Sequence, residues 1–282
     1  MAIDKIRTLV ENCYLGGSNC ISSFRKTPAI ASTQSGVVDL SMAPGNPRPN
    51  YYTGDALTAT LFNGSYGVWT GGDVSPKTKV LRKVDFMLPP ATITPIQFYV
   101  LDFLMFYPLI DMDSTDEQIM TNTVSLPRYT DGNNVKMFVV ATNPYLGGAS
   151  YTINYVNQNG ERKSTRLQTS NSHTYIGTVI HSGNNANVSG TFVSLPDGDG
   201  VRYVESITFT GPNGGLAAIV LCKVLTTVTS VSTAPSQCEW DCLLQKGELP
   251  VIKDGAYINF ITQVNGSAAA VIIAGTIETV WN

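Results

Sequence analysis

The chain has 282 residues, which is enough for one large domain or two ordinary ones with a buried core. Only 14% of the residues are charged, against about 25% in an average soluble domain, and the formal net charge is −3. These values exclude a highly charged helical bundle and a general electrostatic surface for nucleic acid. The 43% hydrophobic content excludes intrinsic disorder. Ser, Thr and Asn supply 72 residues, so the composition indicates a β-rich protein with a neutral, hydroxyl-rich surface.

The first predicted element is a short helix over residues 3–13. Its apolar residues recur at spacings of three and four and form one stripe: Ile3, Ile6, Leu9, Val10 and Cys13. The stripe fits a helix packed on the core or, alternatively, an arm that docks on a neighbouring subunit. Residues 14–50 have low charge and end in the Pro-rich stretch 44–49, which predicts an extended segment. We therefore expect a helix and arm over residues 1–50 and a β-sandwich domain over residues 51–282.

From about residue 55 onward, turn residues and apolar runs are typical of an all-β protein. The Asn63-Gly64 pair predicts a turn between two strands within residues 57–69. Further strands are predicted over residues 79–87, 94–107, 136–142, 174–180, 186–193, 201–210, 216–228, 256–262 and 268–281. Strands spaced by about 8–15 residues with little helix between them indicate a β-sandwich or jelly roll.

The clearest predicted hairpin covers residues 151–167, where apolar and polar residues alternate up to an Asn159-Gly160 turn. Its return strand is polar and basic, so one face should be packed and the other wet. In residues 201–209 the odd-numbered positions are expected to share one face, which places Glu205 near a sheet edge.

Five cysteines are spread along the chain: Cys13, Cys20, Cys222, Cys238 and Cys242. An odd number at wide spacing predicts free, mostly buried thiols rather than a disulfide framework. No apolar signal segment follows Met1, and the longest apolar runs are far shorter than a bilayer span. We therefore expect synthesis in a reducing cytoplasm, no membrane partner, and no modification of the sequons at Asn63, Asn187 and Asn265.

The two histidines, His173 and His181, have no cysteine or carboxylate partner at the spacing of a zinc site. Each is expected at an exposed polar position. Cys238 and Cys242 bracket Glu-Trp-Asp and lack the two-residue spacing of a redox pair. We expect this segment to be a surface stretch or short helix with buried thiols, and we expect no metal or cofactor.

The densest acidic cluster, Asp111, Asp113 and Asp116, is the candidate for a cation site. It is not an EF-hand, because its sixth position is Asp116 rather than glycine and its twelfth is Asn122 rather than a bidentate glutamate. A calcium site of another kind stays open beside a solvated loop in which Ser114 or Thr115 caps a short helix begun at Asp116-Glu117. Nucleophile elbows, phosphate loops and dinucleotide fingerprints are absent from the sequence, so no catalytic residue is assigned.

Three stretches resemble the virion structural proteins of tailed bacteriophages. They are Leu-Pro-Arg-Tyr-Thr-Asp-Gly at residues 126–132 with the strand that follows, the hairpin at 152–160, and the ending at 249–260 with the small-residue run 268–274. The resemblance covers most of residues 55–282. It implies a β-sandwich protein of the head cement, decoration or minor capsid protein family, expected as a cement or decoration protein on the exterior of the virion head.

The partners that this resemblance implies are the major capsid protein and copies of the chain itself, expected as a homotrimer. A neutral surface and the absence of catalytic motifs fit a non-enzymatic protein that packs against neighbours. Residues 1–50 are then the candidate arm that orders on binding.

Two other functions are open from the sequence. One is a tail- or fibre-associated carbohydrate-binding module, in which Trp69 near Gly71-Gly72 stacks on a sugar face. The other is a hydrolase on a sandwich scaffold that uses Asp111, Asp113 and Asp116.

Overall fold

The computed structural model describes residues 6–28, 36–88, 96–171, 175–183, 190–196, 200–230, 236–264 and 272–282. Its described residues are mostly β-strand, which confirms the all-β class. The strands are β1 (Asn19–Lys26), β2 (Gly36–Asp39), β3 (Gly45–Asn46), β4 (Thr60–Leu61), β5 (Lys79–Leu88), β6 (Ile96–Asp111), β7 (Gln118–Ile119), β8 (Val135–Ala141), β9 (Ser150–Asn157), β10 (Arg162–Ser164), β11 (Gln168–Thr169), β12 (Val201–Phe209), β13 (Leu216–Ser230), β14 (Ser236–Asp241), β15 (Val251–Ile252), β16 (Tyr257–Val264) and β17 (Ile273–Trp281).

A short N-terminal helix is also confirmed. It begins at residues Ile6–Thr8 and continues over Leu9–Tyr14 in wider turns, in which a backbone N–H bonds to the carbonyl five residues earlier. Two further single turns, at Gly64–Tyr66 and Cys242–Lys246, follow Asn63 and Asp241, whose side chains accept hydrogen bonds from the first turn of each.

The strands form three antiparallel sheets. The central sheet has the order β2-β16-β6-β13-β8, with β4 also pairing β6. The first outer sheet has the order β14-β5-β17-β1-β3, with β15 pairing β5, and the second outer sheet has the order β10-β9-β12-β7, with β11 pairing β9. Many neighbours are far apart in sequence, so the sheets depend on long-range pairing.

The two outer sheets cover one face of the central sheet, which makes the protein a sandwich. Phe98 and Val100 of β6 pack with Phe24 and Phe86 of the first outer sheet. Further along β6, Leu104 belongs to a second cluster that includes residues of β9 and β12. The opposite face of the central sheet is covered in part by residues 37–62, including Tyr52 and Phe62.

A buried ion pair lies where the two clusters meet. Asp102 follows Phe98 and Val100 at the strand period of two, and its side chain is almost completely buried. Arg128 donates from Nε to Asp102 Oδ2 at 2.9 Å and from Nη2 to Oδ1 at 2.7 Å. Burial raises the pKa of Asp102, and the Arg128 guanidinium opposes that rise.

The same guanidinium ties β6 to the start of β16. Arg128 Nη1 donates to the carbonyl of Gly255 at 2.8 Å, and Nη2 also donates to the carbonyl of Phe103 at 3.1 Å. The N–H of Tyr257 donates to Asp102 Oδ1 at 3.2 Å. The pair therefore satisfies polar groups of three chain segments inside the core.

Part of the segment predicted to be an extended arm is built into the sheets. β1 pairs with β17 over its full length, from Asn19 opposite Val280 to Lys26 opposite Ile273, and β2 pairs with β16. The sequence pattern missed these strands because their partners lie more than 200 residues away and their apolar residues are few. A boundary at residue 50 stays a prediction.

Several predicted strands have the expected place but not the expected detail. The hairpin of β9 and β10 around Asn159-Gly160 is confirmed. The Asn63-Gly64 hairpin is wrong, because these residues begin a helical turn and β4 pairs with β6 instead. No strand longer than a single bridge lies in residues 175–183, and the first half of the strand predicted over residues 186–193 lies outside the described residues.

The face predicted for β12 is also wrong. Register shifts between Val201 and Tyr203 and between Val204 and Ser206 turn Val204 into the core, whereas Tyr203 and Glu205 stay partly exposed. Each bulge adds one residue to the strand and so reverses the alternation that follows it.

We expect Arg128→Met to lower the free energy of unfolding by about 3–5 kcal/mol, because it leaves Asp102 as an uncompensated buried charge. The matched control is Arg162→Met, since Arg162 forms a 2.9 Å ion pair with Glu205 but is 83% exposed. That control should change stability by no more than about 1 kcal/mol. Urea unfolding followed by tryptophan fluorescence measures both, and equal effects would contradict the structural role of the buried pair.

Candidate functional site

The acidic cluster lies in the turn between β6 and β7. Asp111 Oδ1 accepts the N–H of Asp113 at 2.9 Å, and Ser114 Oγ accepts the N–H of Asp116 at 3.2 Å, so no helix begins there. The side chain of Gln118 holds the turn through two hydrogen bonds: its Oε1 accepts the N–H of Asp111, and its Nε2 donates to the carbonyl of Asp111. Among the described residues no group of three His, Cys, Asp or Glu side chains is arranged to hold a metal ion.

The histidine prediction is wrong for His181, which is fully buried rather than exposed. Its Nε2 accepts the N–H of Val139 at 3.3 Å, and burial lowers the pKa of His181 to about 4, so the ring is neutral. The apolar neighbours Val179 and Ile180 could have signalled a buried position. His173 lies outside the described residues.

The cysteine prediction is confirmed. All five thiols are free, with Cys13, Cys222 and Cys242 buried and Cys20 and Cys238 partly so. The predicted segment around Cys238 and Cys242 is strand β14 followed by a single helical turn. In the described part of the chain, no helix has the length and apolarity needed to cross a bilayer.

The N-terminal helix has two different sides. Leu9 and Cys13 pack inward against Val80 and Val280, at the end of the first outer sheet. The thiol of Cys13 also donates to the carbonyl of Trp281 at 3.6 Å. This side fulfils the expectation of a helix packed on the core.

The other side of the helix is apolar and exposed. Ile6 and Val10 lie four residues apart, and Tyr14, one turn further, donates its hydroxyl to Glu278. Glu278 stands opposite Ile21 of β1, so the exposed row continues from the helix onto the outer face of the sheet. We call Ile6, Val10, Tyr14, Leu15 and Ile21 the N-terminal face.

The N-terminal face borders an open sheet edge. The carbonyl of Ser18 accepts the N–H of Trp281, so by strand alternation the backbone groups of Asn19, Ile21 and Ser23 point away from β17. β3 pairs only with the far end of β1, at Arg25 and Lys26. Along residues 19–22, no strand in the described ranges pairs with β1 on the side opposite β17.

A second surface surrounds Trp69. This side chain is 63% exposed, at the rim of an open pocket of about 350 Å³ lined also by Asn63, Thr70, Asp73 and Lys253. The pocket therefore combines one flat apolar ring with polar side chains, as the sequence interpretation of Trp69 required. The Asn63 side chain accepts the N–H of Ser65 at 3.0 Å and so shapes this wall.

The Trp69 loop is held rigidly by the turn before β16. Asp73 Oδ1 accepts the N–H of Gly255, and Asp254 Oδ1 accepts the N–H of Val74 at 3.0 Å. Gly72 has a φ of +75°, and a Cβ there would lie 3.3 Å from the Trp69 ring. The ring thus rests on a glycine that a larger residue could not replace without strain.

A buried polar cluster anchors the chain segment that follows β2. Asp39 is fully buried and accepts hydrogen bonds from the hydroxyls of Tyr52 and Ser41 and from the N–H of Ser41. Lys26 donates to the carbonyls of Ala43 at 3.2 Å and Pro47 at 2.6 Å. These contacts fix residues 43–52, which carry the exposed Tyr51.

Sequence reasoning missed Asp39, Lys26, Asp102 and Arg128 as structural centres. A charged residue inside an apolar run was the one available signal for Asp102, since it lies in the middle of Ile96–Asp111. The partner of each charge comes from a distant segment, and no local pattern identifies it.

Comparisons with known proteins give little. No protein-family model matches the chain, and no curated protein matches it. Among solved structures, the VP2 subviral particle of infectious bursal disease virus is similar at 9% identity and a TM-score of 0.19, over 94% of this chain and 80% of that one. The Gt strain of the same virus gives 6% identity and a TM-score of 0.20, over 93% and 80%. At such TM-scores these matches carry no argument about this chain.

The buried cluster predicts a pH dependence. Burial raises the pKa of Asp39 from its ordinary value of 3.8 to about 6, against the lowering effect of the Tyr52 and Ser41 hydrogen bonds. Between these two values the folded protein holds a proton that the unfolded chain has released, so stability falls as the pH rises through this window. In Asp39→Asn the free energy of unfolding should change less with pH across this window than in the wild type.

Urea unfolding at a series of pH values between about 4 and 7 measures this effect. Asp55→Asn, at an exposed carboxylate outside the cluster, is the control and should leave the wild-type pH profile in place. Parallel profiles for the wild type and Asp39→Asn would contradict the assignment.

Proposed function

We propose that this chain is a structural component of a virus particle, a head cement or decoration protein that joins copies of itself on the major capsid lattice. The observation that carries the proposal is the N-terminal face, with the open edge of β1 beside it. Exposed apolar side chains beside backbone N–H and C=O groups that lack a partner strand favour association with another protein surface.

The segments that carry the phage resemblance support the proposal. Residues 126–132 and 249–260 are far apart in sequence, yet Arg128 of the first contacts the carbonyl of Gly255 in the second. The hairpin over residues 152–160 packs through Tyr155 into the core between the second outer sheet and the central sheet. The three segments therefore belong to one packed body.

The geometry of the first outer sheet favours a ring of copies. β1 and β14 lie toward opposite edges of this sheet, and in the described ranges β14 has β5 as its one strand partner. A contact from the β1 edge of one copy to the β14 edge of the next uses two different surfaces, and such a contact forms a ring when the rotation between copies closes on itself. We propose that the ring is a trimer.

The low charge supports a packing role rather than catalysis. Arg82 pairs with Asp241 and Lys83 with Glu239 on the outer sheet, so several of the 39 charged side chains already serve structural pairs. The absence of enzymatic activity, nucleic-acid binding and membrane binding stays a prediction.

The direct test is the composition of purified particles. Quantitative mass spectrometry of gradient-purified virions should find this chain in a fixed molar ratio to the major capsid protein. Cryo-electron microscopy should then place it on the head exterior. Absence of the chain from particles would refute the proposal.

Substitution in the N-terminal face tests the contact between copies. Ile21→Lys should convert trimers to monomers, because it places a charge in the apolar contact. The fold should be kept, since the new ammonium group lies opposite Glu278. Light scattering after size exclusion should give three times the 30.3 kDa chain mass for the wild type and one chain mass for the variant.

Ile119→Lys is the matched control, because Ile119 is 61% exposed and Ile21 is 65% exposed, both on strands. This control should keep the trimer. A monomeric wild type, or the same loss of association in both variants, would contradict the proposed contact.

A further inference from the structure

We propose that the pocket beside Trp69 is a binding site for a neutral saccharide. This inference goes beyond the structural role in the particle and does not depend on it. It stands on three observations: a rigidly held exposed indole, two lysines that already have partners, and a loop held in place by the turn before β16.

The indole supplies the stacking surface. Trp69 and Gly72 both line the pocket, and the ring rests on Gly72 on one side while most of its surface stays open. The C–H face of a pyranose ring packs on such a flat apolar surface, and the sugar hydroxyls then reach the polar groups around it. A volume of about 350 Å³ lies within the range of small-ligand pockets, about 300–1,000 Å³.

The charges of the pocket favour a neutral ligand. Lys79 and Lys253 are the cations, and the carboxylates of Asp73 and Asp254 both act on Lys79. Lys79 already donates to the carbonyl of Gly72 and to Thr70 Oγ1, and Lys253 lies 4.3 Å from the centre of the Tyr129 ring. Both ammonium groups thus already have partners, which makes them less available to a phosphate or an acidic sugar.

The polar groups suit hydroxyls. Asn63, Ser65 and Thr70 present amide and hydroxyl groups, which both donate and accept hydrogen bonds. Sugar hydroxyls also do both, so they can satisfy such groups in either direction. A purely apolar ligand would cover these groups without satisfying their remaining hydrogen-bonding capacity.

The loop is preorganised. The N–H of Val68 donates to the carbonyl of Ile258 at 2.8 Å, and Asp73 and Asp254 hold the other end of the loop to the turn before β16. Gly71 approaches Trp281 so closely that a Cβ would lie 2.8 Å from its ring. Binding therefore costs little ordering of the protein, which raises affinity for a small ligand.

The experiment is a glycan microarray with neutral, sialylated and sulfated oligosaccharides, probed with the wild-type chain, Trp69→Ala and Tyr175→Ala. Tyr175 is an exposed aromatic outside the pocket and serves as the matched control. The neutral glycan with the strongest signal is then titrated while tryptophan fluorescence and its quenching by acrylamide are followed.

We expect binding to neutral glycans, protection of a tryptophan from acrylamide, and a loss of affinity of about tenfold or more in Trp69→Ala. Trp69→Phe, which keeps a flat ring, should restore part of the affinity, and Tyr175→Ala should bind as the wild type does. No binding on the array, binding to acidic glycans alone, or equal binding by Trp69→Ala would overturn the proposal. None of these outcomes bears on whether the chain is present in virus particles.

Discussion

The buried ion pair between Asp102 and Arg128 is the constraint on which the rest of the structure depends. β6 is the longest strand, and a carboxylate in its middle is stable only with a partner that satisfies its charge and hydrogen bonds. Arg128 meets this need with two bonds to Asp102 and reaches Gly255 with a third. A guanidinium group forms paired hydrogen bonds to a carboxylate in only a few relative orientations. The pair therefore fixes where residues 126–132 cross the central sheet.

From this pair, contacts lead to the exposed surfaces. Gly255 accepts from Arg128 through its carbonyl and donates its N–H to Asp73, so the turn before β16 connects the core pair with the loop of Trp69. On the other side, β17 lies between β5 and β1, and its residue Glu278 meets both Tyr14 and Ile21.

Much of the fold could be predicted from the sequence, because strand alternation, Asn-Gly turns and long apolar runs are local signals. The strands β5, β6, β8, β12 and β13 and the Asn159-Gly160 hairpin follow from such signals. The pairing of β1 and the bulges of β12 could not be predicted, because each depends on a distant partner. Of the candidate surfaces, the one around Trp69 could be predicted from the glycines that follow it in the sequence. The N-terminal face could be recognised only from the strand register that places Ile21 opposite Glu278.

The central claim is that the edge of β1 is covered by a neighbouring copy in the assembled protein. Residue-resolved hydrogen exchange along β1 tests this directly, since Cys20 and Ser22 bond to β17 while Asn19 and Ile21 point outward. The account predicts that the outward amides exchange as slowly as the inward ones in the assembled wild type. Fast exchange at Asn19 and Ile21, with slow exchange at Cys20 and Ser22, would contradict it.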